Sequence, residues 1–187
     1  MLGTLSIKNP QKTTPRLQRY LLRDAFGDAV TAGSVNGTPA TIGGLRTVTD
    51  TNGKISIVNG AVSFATGEVA GDGVWYPTVS RVFGRVLLGT INGTNTNYYI
   101  GWDDVVGGAP ASAINFAGNT LLRITDNGVT LVVGEAPSVS TNVMVAIVLR
   151  ASGAFYFVRE TTAFPTWRLI HISSALTTSL MYPAISA

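Results

Sequence analysis

Ten carboxylates and a single histidine are the side chains of this 187-residue chain that could move protons. The carboxylates are Asp24, Asp28, Asp50, Glu68, Asp72, Asp103, Asp104, Asp126, Glu135 and Glu160. A retaining glycosidase needs two carboxyl groups about 5 Å apart, and no two of these stand two residues apart on one strand face. His171 falls in an alternating run with Trp167 and Leu169, the pattern of a half-buried core position. A catalytic base needs an oriented partner, and none is evident near it. No Gly-x-Ser-x-Gly elbow supplies a nucleophile, and the absence of cysteine removes thiolate chemistry and disulfides. No enzyme and no cofactor are therefore expected.

Two binding chemistries remain. Asp103 and Asp104 follow Trp102, and adjacent carboxylates with nearby carbonyls are a weak candidate for Ca²⁺. The plainer reading of that pair is a polar loop. Trp75, Tyr76, Tyr98, Tyr99 and Trp102 could stack on the apolar face of a sugar ring, against the competing reading that large rings fill a core. Asn36-Gly37-Thr38 and Asn92-Gly93-Thr94 match a glycosylation sequon but read more simply as turns.

The elements that would position these residues are strands. NVMVAIVLR and AFYFVRE, from Asn142 to Glu160, flank a three-residue connection, Ala-Ser-Gly, and predict a hairpin with Gly153 in a left-handed conformation. Val143, Val145, Ile147 and Leu149 fall on one face of its first strand. KISIV and AVSFAT flank Asn59-Gly60, a two-residue hairpin signal that opposes Ile55 and Ile57 to Val62 and Phe64. YLLRDAF reads as a strand and residues 27–44 as a long surface loop. SRVFGRVLLGTI, TNYYIGWDD, SAINFAG, TLLRITD, VTLVVG, TWRLIHIS and SLMYPAISA are further strands. Pro183 marks the last as an edge or a kink. Roughly a dozen strands at 8–12-residue spacing, without a convincing helix, predict an antiparallel sandwich or barrel.

Only 12% of residues are charged and 45% are hydrophobic, so disorder is excluded over most of the chain. No apolar run is long enough to span a membrane, and the first 16 residues carry no signal-peptide core. The net charge of +3 is uneven. Lys8, Lys12, Arg16, Arg19 and Arg23 precede the first acid, and the other eight basic residues face all 10 acidic ones. A basic arm thus leads into a nearly neutral body, with the boundary placed between residues 1–19 and 20–187. An arm of this kind suits docking on an acidic partner surface. It lacks the interleaved aromatics of a nucleic-acid footprint.

LLRDAF, GSVNGTPA, TVTDTNGKISIVNGAVSFATG, GVWYP, YIGWD, VAIVLRASGAFYFVR, FPTWRLIHIS and YPAIS together cover about residues 20–186. In combination they resemble concanavalin A-like lectin/glucanase jelly rolls, of the Gly/Thr-rich type seen in phage and bacterial surface proteins. The resemblance implies an all-β, antiparallel jelly-roll β-sandwich with an extended N-terminal arm. Glucanases of that superfamily carry Glu-x-Asp-x-Glu on one strand, which this sequence lacks. The expected role is therefore non-enzymatic: a virion decoration, capsid-associated or fibre protein, or an extracellular filament subunit. Its partners would be other copies or a shell protein, and its place the virion or an extracellular surface. The alternative is a lectin-like, carbohydrate-binding module. Such modules close with one more strand after a YPAIS-like segment, whereas this sequence ends at Ala187. Thr4 to Pro10, TLSIKNP, has the character of that strand, with Leu5 and Ile7 expected on its inner face. The 11 residues from Asn9 to Arg19 would reach roughly 36 Å at about 3.3 Å each. The strand could therefore fill its own domain or a neighbour's.

Overall fold

The β-branched and aromatic runs form strands throughout the structure, a computed structural model that describes residues 2–8, 20–65, 69–80, 85–91, 98–108, 110–117, 121–135, 143–150, 153–160, 166–173 and 180–186. The first eight strands are β1 (Leu2–Lys8), β2 (Tyr20–Asp24), β3 (Thr47–Thr49), β4 (Ile55–Val58), β5 (Ala61–Phe64), β6 (Gly73–Trp75), β7 (Val79–Ser80) and β8 (Arg85–Ile91). The second eight are β9 (Tyr99–Asp103), β10 (Ser112–Ala117), β11 (Leu121–Asp126), β12 (Val129–Glu135), β13 (Val143–Arg150), β14 (Gly153–Glu160), β15 (Arg168–Ser173) and β16 (Leu180–Ser186). No helix occurs among the described residues.

The strands make two sheets. The first runs β15-β14-β13-β8-β1-β5-β4, with β2 also on β1. The second runs β12-β11-β10-β9-β16-β6-β3, with β7 also on β16. Adjacent strands are antiparallel, as in the pairs of β13 with β14 and of β16 with β9. One core lies between the sheets: Val143, Val145, Ile147 and Leu149 from the first pack with Ile100, Trp102, Ile114 and Ile124 from the second. The chain is thus an all-β, antiparallel sandwich.

Local chemistry explains the turns. The β4–β5 hairpin pairs Ile57 with Val62 and Ile55 with Phe64. Its turn residues Asn59 and Gly60 have φ of 53° and 77°, the two positive values that a two-residue turn of matching twist requires. In the β13–β14 hairpin, Arg150 pairs directly with Gly153. The connection is therefore two residues long instead of three. Gly153 lies inside the strand with φ of 147°, outside the left-handed helical region expected for it.

Residues 27–44 form the long surface loop that the sequence predicts, tied down by isolated bridges of Val30 to Ile57 on β4 and of Ile42 to Arg23. One further expectation is corrected. β16, read as an edge or a kink, is interior, with β9 on one side and β6 and β7 on the other. Pro183 is tolerated there because it falls between the segments that pair with β7 and β6, and its carbonyl still accepts the Tyr76 amide at 3.0 Å.

Candidate functional site

The N-terminal segment is an interior strand of the first sheet. β1 pairs with β8 on one side and with β2 and β5 on the other. Ile7 stands opposite Leu22 and Leu87, and Leu5 opposite Asp24. Lys8 ends the strand opposite Tyr20 and Val86. Lys12, Arg16 and Arg19 lie outside the described residues. Arg23 has an exposed side chain and backbone hydrogen bonds to Ile42.

The five rings expected to stack on a sugar do not form one platform; of them, Tyr99 is half-buried on the outer face of the second sheet. Trp102 and Tyr76 point into the core between the sheets, and both are buried. Tyr98 is half-buried and stacks on Phe64 at 4.5 Å. Trp75 alternates to the outer face of the second sheet and is also fully buried. A ring with no exposed face is not open to a sugar arriving from solvent. The large side chains fill space, as a sandwich core demands.

Asp103 explains part of that burial. It too is on the outer face, and it accepts the indole Nε1–H of Trp75 at 2.7 Å. Desolvation pushes its carboxyl up to about 7; the Trp75 hydrogen bond opposes the rise and the charge of Asp104 adds to it. Asp104 is exposed. The two carboxylates therefore do not converge, and no group of three or more metal-binding side chains occurs among the described residues.

His171 meets a carboxylate that its sequence neighbours did not reveal. Its Nε2 lies 3.0 Å from Oδ2 of Asp126, joining β15 of the first sheet to β11 of the second. Tyr156 flanks the imidazole at 5.5 Å and donates its hydroxyl to the Thr125 carbonyl at 3.1 Å. Burial raises the Tyr156 phenol above its ordinary value. Ser112 shares the Asp126 face through direct cross-strand pairing, but it is fully buried. A nucleophilic hydroxyl must meet its substrate, so this grouping has the chemistry of a latch between sheets.

A second buried cluster was not anticipated. Arg46 is 1% exposed and holds Asp24, which is fully buried, through Nε–Oδ2 at 2.6 Å and Nη2–Oδ1 at 2.7 Å. Its Nη1 also reaches Asp28 at 2.7 Å and Thr38 at 2.8 Å. Asp24 further accepts the Tyr76 hydroxyl and the Phe26 amide, each at 3.0 Å. Burial works against the guanidinium charge, but the hydrogen bonds to Asp24 and Asp28 outweigh it and raise the Arg46 pKa. Burial likewise drives the Tyr76 phenol well above its usual range. Asp24 extends from the first sheet and Tyr76 from the second, so Arg46 clamps the residue 25–46 connection across one flank of the sandwich. Only the spacing of Asp24, Asp28 and Arg46 was visible in the sequence. Their convergence needed the fold.

The outer face of the second sheet carries a cavity of about 370 Å³. One wall is the β9–β10 connection, which folds back over the sheet. A Cβ on its Gly107 would lie 3.5 Å from the Thr49 hydroxyl, and one on Gly71 would lie 3.3 Å from the Gly107 carbonyl. Asp72 fixes the turn that carries Gly71 by accepting the amides of Thr51 and Val69. Burial would raise its carboxyl, but those amides and the Thr51 hydroxyl lower it. Tyr99, Thr125 and Thr130 line the sheet side. Thr125 is 4% exposed, and its hydroxyl has no partner among the described residues. Asn115, directly opposite Tyr99 on β10, is fully buried with both amide atoms in the same state. The described lining bears hydroxyls, glycine backbone and one aromatic ring but no charge, which suits a neutral polar guest over an anion or a cation.

No family model, curated protein or solved structure matches the chain.

Proposed function

We propose that this chain is a non-enzymatic assembly protein with a jelly-roll body of the concanavalin A-like kind, serving as a virion decoration, fibre or filament subunit. The observation that carries this reading is the position of β1. A strand joined to the rest of the body only through residues 9–19 occupies the interior of a sheet, between β8 and the β2–β5 side. Without it, two rows of backbone groups, on β8 and on the β2–β5 side, lose their partners. Such a strand can be given to a neighbour as readily as to its own body, since main-chain hydrogen bonds supply affinity and alternate side chains supply register.

The test is the Leu5→Asp/Ile7→Asp chain, compared with the parent by thermal melting, sedimentation and negative-stain microscopy. The double variant is expected to melt earlier and to lose association. Equal melting and equal assembly would remove the basis of the reading.

A lectin-like module is the second reading, and one observation favours it: the uncharged cavity bounded by Tyr99 and Thr125. The sugar-binding role then falls to this cavity, with Tyr99 the one ring of the expected set that lines it. Screening the parent and Thr125→Val against a glycan array tests it. Binding that depends on Thr125 supports the module, and an array without any binding removes it.

A further inference from the structure

The two flanks of the sandwich are finished differently. On one flank the residue 25–46 connection covers both sheet edges. Val30 exchanges backbone hydrogen bonds with Ile57 of β4 at 3.0 and 2.9 Å, and Asn36 accepts the Val48 amide of β3 at 3.0 Å. On the other flank the sheets end at β15 and β12, and no described strand pairs with their outer edges. Apolar side chains remain exposed there: Leu169 at 45%, Ile172 at 55% and Val129 at 59%. Soluble proteins protect such edges with lysine, proline or a cover, because an open edge is a template for another strand. β15 contains neither lysine nor proline.

We infer that β15 is an interface with a second copy of this chain, paired antiparallel and edge to edge about a twofold axis. The inference rests on the assembly reading and gives it a surface. The register of β15 favours a copy of itself as the occupant. Leu169 stands opposite Phe157 and Ile172 opposite Phe155. Phe155 and Phe157 are two residues apart on β14 and so share its outer face. The irregularity at Tyr156/Phe157 thereby places Leu169 and Ile172 on that same face, although they are three residues apart. In an antiparallel pair centred between Ile170 and His171, Leu169 meets Ile172 of the second copy. Two unbroken apolar rows then cross the seam, each running phenylalanine, leucine, isoleucine, phenylalanine. Arg168, the one permanent charge of β15, sits at the strand end and comes opposite Ser173 of the second copy, away from its own counterpart.

A stable interface buries about 800 Å² per partner. One six-residue strand with two exposed apolar side chains offers less, so the pairing is weak and concentration-dependent.

Sedimentation of the full chain, from low micromolar to near millimolar concentration, reads the association. Leu169→Lys/Ile172→Lys is expected to weaken dimerisation roughly tenfold or more, with melting unchanged because both positions are exposed in the single chain. The native chain has no cysteine, which permits a direct check of register. A mixture of Leu169→Cys and Ile172→Cys chains is expected to form a disulfide-linked heterodimer. A mixture of Leu169→Cys and Val129→Cys chains is not. Association that survives the lysine pair, with no heterodimer formed, overturns this surface and leaves the assembly reading standing. A parent chain that stays monomeric throughout, its edge free for a foreign strand, overturns the second copy as occupant. The Leu5→Asp/Ile7→Asp comparison then decides the assembly reading separately.

Discussion

Replacing Arg46 by methionine keeps the unbranched apolar stem of the side chain and removes its guanidinium and charge. Asp24 is then left fully buried, with the Phe26 amide and the Tyr76 hydroxyl as its remaining donors. Breaking a buried ion pair on one side costs about 3–5 kcal/mol, because the surviving charge keeps its desolvation penalty. Domains of this size shift by about 2–4 °C per kcal/mol, so Arg46→Met is expected to melt about 6–20 °C below the parent. Asp28 is 37% exposed on the same guanidinium. Solvent screens that contact, so Asp28→Asn should cost about 1 kcal/mol or less. The decisive step is the double variant. If an orphaned carboxylate causes the loss, Asp24→Asn made on top of Arg46→Met must restore stability, since the amide oxygen still accepts from the Phe26 amide and the amide nitrogen can donate to the Tyr76 hydroxyl, which accepts as well as donates. Urea unfolding, with midpoints compared at constant m, measures all four proteins. An Arg46→Met chain within about 1 kcal/mol of the parent would refute the reasoning. So would a double variant weaker than the single one.

Stability should also follow pH through Asp103. Its folded-state carboxyl is raised from 3.8 to about 7, so the folded state binds more protons than the unfolded one across that window. Stability is then full below about pH 4 and falls as pH rises towards 7, by at most about 4 kcal/mol. Asp103→Asn should flatten this dependence, as melting from pH 4 to 8 would reveal. Asp28, whose Arg46 hydrogen bonds lower its carboxyl, and Asp72 have the opposite sign. Their contributions are present above about pH 4 and are lost below it. Gly101→Ala would place a Cβ 2.6 Å from the Ala113 Cα across the sheet, and overpacking of that kind costs about 1–3 kcal/mol in a denaturant titration. His171→Gln removes one partly exposed hydrogen bond to Asp126 and should cost about 1 kcal/mol or less. Polysaccharide hydrolysis by the parent that disappears in this variant would show that the latch has a catalytic role.

The sequence by itself determined the strands and many of the turns, because those depend on neighbours along the chain. Alternation in VMVAIVLR sets which residues of β13 enter the core. Asn59-Gly60 and Asn127-Gly128 take the positive φ values that tight hairpins need. The strand character of TLSIKNP was also legible, since Leu5 and Ile7 alternate with polar residues. What the sequence could not determine was which strands meet and which faces are covered. Trp75 and Trp102 look alike in the sequence but are buried on opposite faces of one sheet, because each alternates from a different register and the outer face acquires a cover. Pro183 signals an edge locally, yet its strand is interior because the proline falls at a gap between two partners. Arg46 with Asp24, and His171 with Asp126, stand 22 and 45 residues apart in sequence and become neighbours only when strands from both sheets are stacked. Convergence of this kind is a property of topology, which the spacing of charges along a chain does not encode.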